Sequence, residues 1–230
     1  MQKPLLNISD IECIHVEASS YCNARCPQCP RNFCGWNDPI NIYQTHITVD
    51  KLAKIVQQIP HPVNANLNGN HGDPMMNPWI VDIAKLFARS AITTNGSIGK
   101  LDTYKELAEL GVHITFSIDG LEDTNHIYRQ DVIWDNLMQR VKAFISAGGV
   151  AVWKFIPFKH NIHQISLCKQ LSEQLGFTEF DVDNQNRNYG PILDNTGKKI
   201  GFLLPHDRPA DPEEYDIDLE LQLLNNPINN

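Results

Sequence analysis

Three thiols stand within eight residues of this chain: Cys22, Cys26 and Cys29, in the stretch CNARCPQC. Thiolates are the usual ligands of iron–sulfur clusters and common ligands of zinc. A closed zinc site takes four ligands, and Cys34 would supply the fourth. An iron–sulfur cube has four iron corners. Three thiolates from one short loop hold three of them and leave the last for a small molecule that chelates through amine and carboxylate groups. The chain has six cysteines, at 13, 22, 26, 29, 34 and 168, and four of them crowd between 22 and 34. Core filling would not gather them so, and in a reducing compartment such a cluster favours metal over disulfide. Cys13, in a strand, and Cys168, on a helix, read as buried small apolar residues.

A ligand loop needs elements to hold it. CIHVEAS (13–19) reads as a buried strand ending where the cysteine loop starts. Further strands are expected in VNANLNGN (63–70), AITTNG (91–96), VHITFSIDG (112–120), VAVWKFIPF (150–158) and FTEFDVD (177–183). Helical spacing runs through TVDKLAKIVQQI (48–59), with Thr48 as N-cap, and through 101–111, 131–149 and 161–176, each closed by glycine. NPWIVDIAKLFA (77–88) offers Asn77 as a cap and Pro78 at the first helical position. Asn95-Gly96 lies between a strand and a helix, so it marks a strand-to-helix turn rather than a hairpin. Repeated βα units imply a parallel sheet, either an open doubly wound one or an incomplete barrel.

In such sheets ligands sit beyond the carboxyl ends of the strands. The unusual residues fall there: the cysteine loop, GNHGDP, TTNG, SIDG, FIPF and DVDNQN each end a strand. The helix-to-strand loops are plainer. His71, His126, His160 and His163 lack the i, i+4 spacing of a metal pair, and His160 and His163 read as helix-cap or surface residues.

Composition narrows the class. The chain has 230 residues, 42% hydrophobic and 20% charged, as in ordinary globular proteins. No apolar run approaches a membrane span, and MQKPLLNISD lacks the apolar core of a signal peptide, so a cytoplasmic protein with no membrane partner is expected. A net charge of −8 with no basic stripe argues against nucleic acid.

Cys-x3-Cys-x2-Cys on the loop after the first of six βα strands resembles the radical S-adenosylmethionine (SAM) superfamily. GDP at 72–74 resembles that family's Gly-Gly-Glu-Pro motif, TTNG (93–96) and SIDG (117–120) its ribose- and carboxylate-contacting strand ends, and HIYRQD (126–131) its YR segment. WKFIPFKHNIHQI (153–165) is similar to the fifth strand and following helix of members with a C-terminal SPASM domain. The resemblance covers about residues 10–185, and five motifs in order make it specific.

The resemblance implies a partial (β/α)6 TIM-like barrel with parallel strands, with a core domain over 1–185; beyond it the sequence reads as a polar, acidic extension over 186–230 with a short helix at 212–224. It implies that Cys22, Cys26 and Cys29 ligate a [4Fe–4S] cluster. The backbone around His71 and Gly72, with Asp73, would face the SAM amino group. Thr94, Asn95, Ser117 and Asp119 would approach the ribose or methionine end, Arg129 the carboxylate, and the backbone at 155–157 the adenine. The implied activity is reductive cleavage of SAM to a 5′-deoxyadenosyl radical, which takes hydrogen from a peptide, protein or small polar metabolite, with flavodoxin or ferredoxin as electron donor.

The chain departs from the pattern in three places. Gln28 stands where an apolar residue usually packs near adenine, and a hydrogen bond would replace that contact. Asp73 replaces the motif's Glu, and His71 its first Gly. After Cys29 only Cys34 and Cys168 follow, so no auxiliary-cluster domain is expected: either one cluster suffices or a partner chain supplies the rest. Two other readings stand beside the first. One is a small enzyme like the radical SAM activating enzymes or 7-carboxy-7-deazaguanine synthase. The other is a non-catalytic zinc- or iron-binding module.

Overall fold

Alternation of apolar and polar residues along the strands gives each a face to bury and a face to leave open. The computed structural model describes residues 7–37, 42–184 and 189–206. Six strands, β1 (Cys13–His15), β2 (Asn64–Leu67), β3 (Ser90–Thr94), β4 (His113–Ser117), β5 (Val150–Phe155) and β6 (Glu179–Val182), pair in sequence order. Every pairing is parallel. Parallel neighbours need crossovers, and these carry the helices α1 (Val49–Val56), α2 (Ile80–Ala84), α3 (Leu101–Glu109), α4 (Glu122–Tyr128), α5 (Trp134–Ser146) and α6 (Ile165–Leu175). The architecture is the expected partial (β/α)6 barrel.

The core lies between sheet and helices. Leu67, Ile92, Ile114, Phe116, Ala151, Trp153 and Phe155, from four neighbouring strands, are all buried. Phe116 stacks on Tyr104 of α3, with centroids 6.1 Å apart, and meets Phe144 of α5 edge-on at 6.0 Å. Cys168 is buried as expected, whereas Cys13 is exposed, because β1 is the sheet's edge and its Cys13–His15 positions carry little cover.

Several elements differ from the expectation. The first strand stops at His15; Val16 continues as one hydrogen bond to Asn66 O, and the chain then leaves the sheet. α2 begins at Ile80, later than expected, but Asn77 Oδ1 still accepts from Trp79 N at 2.9 Å in the turn that leads into it, while the Asn77 amide donates to Ala18 O at 2.6 Å and Ile47 O at 3.0 Å and fastens the loops as well. α4 is a separate helix, followed by Asp131 at φ 66°, so the segment from 131 reaches α5 only at Trp134. His160 is not a cap: its ring stacks on Phe158 with centroids 5.5 Å apart.

Beyond β6 the chain forms an antiparallel pair, β7 (Gly190–Leu193) and β8 (Lys199–Leu203). Asp194 closes its turn by accepting from Thr196 and Lys198 amides at 2.8 and 3.0 Å. Ile192 and Leu203 bury in the barrel's core, Leu193 N donates to Cys34 O at 2.8 Å, and Phe158 bridges to Pro205. The short helix expected at 212–224 lies outside the described residues.

Candidate active site

The three thiols are placed by a loop that folds on itself before it meets anything else. Cys29 N donates to Cys26 O at 2.9 Å, Asn32 Nδ2 to the same carbonyl at 3.1 Å, and Gly35 N to Asn32 Oδ1 at 2.6 Å. Cys34 and Gly35 take positive φ, 54° and 102°, which turns the loop back. Arg25 ties the loop outward: Nη1 donates to Gly35 O at 2.7 Å, and Nε pairs with Asp131. Cys22, Cys26 and Cys29 then open on one pocket of about 300 Å³ at the strand ends, with free thiols.

The opposite wall comes from the ends of β2 to β5. Gly72, Asp73, Thr94, Asn95, Ser117 and Arg129 all line the pocket. Asp73, fully buried, accepts from Met75 N at 3.0 Å, Asn95 N at 2.9 Å and Thr94 Oγ1 at 2.8 and 2.9 Å. Burial pushes this carboxyl up, against those four donated contacts. Its side chain therefore clips the loop after β2 to the end of β3. Asn95 Nδ2 reaches Cys22 Sγ at 3.7 Å and Asn23 Oδ1 at 2.9 Å.

Arg129 lies between an acid and a thiol. Its Nε donates to Asp119 Oδ2 at 2.6 Å and its Nη1 to Cys26 Sγ at 3.6 Å. Burial would lower this guanidinium's pKa, but Asp119 and Cys26 more than reverse it, so the cation is fixed. Asp119 has no exposed surface and stands behind Arg129 rather than on the pocket wall; its Oδ1 accepts from Ile156 N at 2.6 Å. His71 is exposed and off the pocket wall, because its backbone turns toward Glu17.

The sequence did not single out Glu17. Its carboxylate accepts Asn70 N at 2.9 and 3.1 Å and His71 N at 3.4 Å, and His15 Nε2 lies 3.2 Å away. Its position just beyond β1, opposite the GNHGDP loop, was the available signal. Gln28 carries a second one: both atoms of its amide are buried without a hydrogen-bond partner, in the pocket wall.

These residues fit an iron–sulfur cluster. Burial pushes the Cys22 thiol up to about 12, with Asp73 adding to it, and pushes Cys26 up as well. Thiols so placed give up protons when a metal takes them. Among the described residues no three His, Cys, Asp or Glu side chains converge on one ion position. A cube does not need that convergence, since each thiolate meets its own iron.

Comparison with known proteins agrees with this geometry. The chain resembles the crystal structure of Streptococcus suis SuiB bound to S-adenosylmethionine, with a TM-score of 0.62 and 19% identity over 75% of this chain and 40% of that one. Native anSMEcpe with bound AdoMet matches with a TM-score of 0.59 and 14% identity, over 74% and 51%. Methylornithine synthase (PylB) matches at 0.55 and 13%, over 74% and 52%. At these identities the likeness is one of fold, and the chain spans about half the length or less of the structures it matches. No curated protein matches. The family model for the radical SAM superfamily matches residues 16–163, which takes in the cysteine loop and all the pocket-lining strand ends through β5. This chain belongs to the radical SAM superfamily, enzymes that work with a [4Fe–4S] cluster and SAM.

Proposed function

We propose that this chain holds a [4Fe–4S] cluster on Cys22, Cys26 and Cys29, binds SAM beside it, and takes a hydrogen atom from a peptide or small polar substrate. The observation that carries the reading is one pocket in which three thiols face Gly72, Asn95, Ser117 and Arg129. When bound, the cluster and SAM supply a 5′-deoxyadenosyl radical once an electron enters from a flavodoxin or ferredoxin.

The chain's own residues bind, orient and shield. Arg129, held by Asp119, offers its remaining guanidinium surface to the SAM carboxylate while donating to the Cys26 sulfur. The loop through Gly72, clipped by Asp73 and Glu17, presents backbone to the amino group. Thr94, Asn95 and Ser117 lie where the ribose and methionine would pass. Gln28 has an unused donor and acceptor for a ring edge, and Ile156 gives an apolar wall. Tyr128, buried and 4.8 Å from Phe158, helps to exclude water. A peptide substrate draws support from the fold's likeness to SuiB, which has been crystallised with the precursor peptide SuiA.

Anaerobic reconstitution tests the cofactor set. About four irons and four sulfides per chain, with an electron-spin resonance signal of the reduced protein that changes on adding SAM, are expected. The Cys22→Ala/Cys26→Ala/Cys29→Ala variant should hold neither. Zinc without sulfide, or a signal indifferent to SAM, would overturn the reading.

A further inference from the structure

The sulfurs of the cysteine loop are served by donors of different kinds. Cys22 Sγ accepts from Ala24 N at 3.4 Å and from Asn95 Nδ2 at 3.7 Å, both neutral. Cys26 Sγ accepts from Arg129 Nη1 at 3.6 Å, a donor that carries a full charge. Arg129 is held at that sulfur by several elements. It ends α4, where its N–H reaches Asn125 O at 2.8 Å. Its Nε is clamped by Asp119, and Asp119 is pinned in turn. Asp119 N donates to Asn125 Oδ1 at 2.8 Å, Asp119 O accepts from Asn161 Nδ2 at 2.9 Å, and Oδ1 accepts from Ile156 N at 2.6 Å. The Arg129 side chain is 14% exposed and that of Asp119 not at all, so water screens the pair little.

A donated N–H and a nearby positive charge both favour added negative charge on a sulfur-ligated centre, and hydrogen bonds to the sulfurs help to set a cluster's reduction potential. A carboxylate behind the guanidinium works the other way. We infer that Arg129 and Asp119 set the reduction potential of the cluster: Arg129 raises it through Cys26, and Asp119 fixes Arg129 in place while offsetting part of its charge. The inference rests on the reading of Cys22, Cys26 and Cys29 as cluster ligands. The step it governs is the transfer of one electron from the flavodoxin or ferredoxin. The donor is oxidised by one electron, the cluster is reduced by one, and no bond or proton moves. Toward that electron both are positioning residues, a role separate from the contact of Arg129 with the SAM carboxylate.

The test uses the full, reconstituted chain without SAM, so the carboxylate contact plays no part. Samples are poised with dithionite and redox mediators, and the reduced fraction is read from the electron-spin resonance signal. Arg129→Leu/Asp119→Asn removes both charges together and leaves no unpaired ion buried. At the wild-type midpoint its ratio of reduced to oxidised cluster should fall about tenfold, which for a one-electron couple is a midpoint about 59 mV lower. Asp119→Asn alone leaves the guanidinium unbalanced and should raise the ratio. Lys154→Met removes a cation that lines the same pocket, is matched by Asp183 at 3.2 Å and bonds to no cysteine sulfur, and should leave the ratio near that of the wild type. No fall in the paired variant, no rise in Asp119→Asn, or an equal fall in Lys154→Met would overturn the assignment. If the paired variant holds no cluster, the sign of the shift in Asp119→Asn decides. Iron and sulfide in the wild type test the underlying site: their absence removes that reading, whereas a full cluster without these shifts removes only this one.

Discussion

The carboxylate of Glu17 holds two successive backbone amides, Asn70 and His71, at the turn that leads into Gly72 and Asp73. Burial works to raise its pKa, but the Asn70 amide, His15 and the His71 amide outweigh it and hold the carboxyl below its usual value. A lowered carboxylate stabilises the fold above its unfolded pKa, about 4.3 for Glu, and that contribution is lost as pH falls through the lower folded value. The latch is therefore fully in place at neutral pH. Glu17→Gln removes two charge-assisted bonds, and SAM affinity measured by equilibrium dialysis should fall about tenfold, with iron content retained. Asp73 is more deeply committed, since all its bonds are buried. Asp73→Asn turns an amide N–H toward donors and should cost about 2–3 kcal/mol in denaturant unfolding.

At the scale of elements, the loop after β2 is pressed against the segment that leaves β1, at Ser19 and Ser20. A Cβ on Gly72 would fall within the carbonyl of Ser19, which is backbone and cannot swing aside. Gly72→Ala should lower stability by about 1–3 kcal/mol and weaken SAM binding more than Glu17→Gln does. The loop after β5 carries a different constraint. Burial, helped by His126 and His163, lowers the His160 pKa to about 4 from 6.5. The folded chain thus keeps this imidazole neutral while the unfolded chain protonates it, so stability falls as pH drops from 6.5 toward 4. His160→Phe should flatten that slope in urea titrations run across the window.

These elements also mark what the sequence made legible. The strand-to-helix order, the cysteine loop and the strand-end motifs were readable because period-two burial and cap residues are local signals. The exposure of Cys13 and the bonds of the Asn77 amide to Ala18 and Ile47 were not, because edge position and long-range bonds are set by distant partners; the His160 ring stack is local, on Phe158, but depends on how the loop after β5 folds. The β7–β8 pair escaped for a related reason: β7 reads Gly190-Pro191-Ile192-Leu193, a short run with a proline that gains its burial only against the barrel. Asp119 showed itself at a strand end, but only the structure shows it engaged by Arg129 rather than open to the pocket.

Across the whole molecule, the β7–β8 pair fastens the cysteine loop from outside. Leu193 bonds to Cys34, Gln130 Nε2 reaches Leu193 O at 3.4 Å, and a Cβ on Gly197 would touch the ring of Trp36. Leu203 is fully buried in the same core as Cys26. Leu203→Ala should cost about 2–5 kcal/mol and slow the return of iron to the apoprotein, read by visible absorbance. The cysteine loop and the strand ends line one pocket, and the chemistry proposed for it can be asked for directly. The measurement is 5′-deoxyadenosine released from SAM and dithionite by the reconstituted chain, beside the Cys22→Ala/Cys26→Ala/Cys29→Ala variant. Release by the wild type and none by the variant is the predicted result; a wild type that holds a full cluster yet releases no deoxyadenosine would contradict the account.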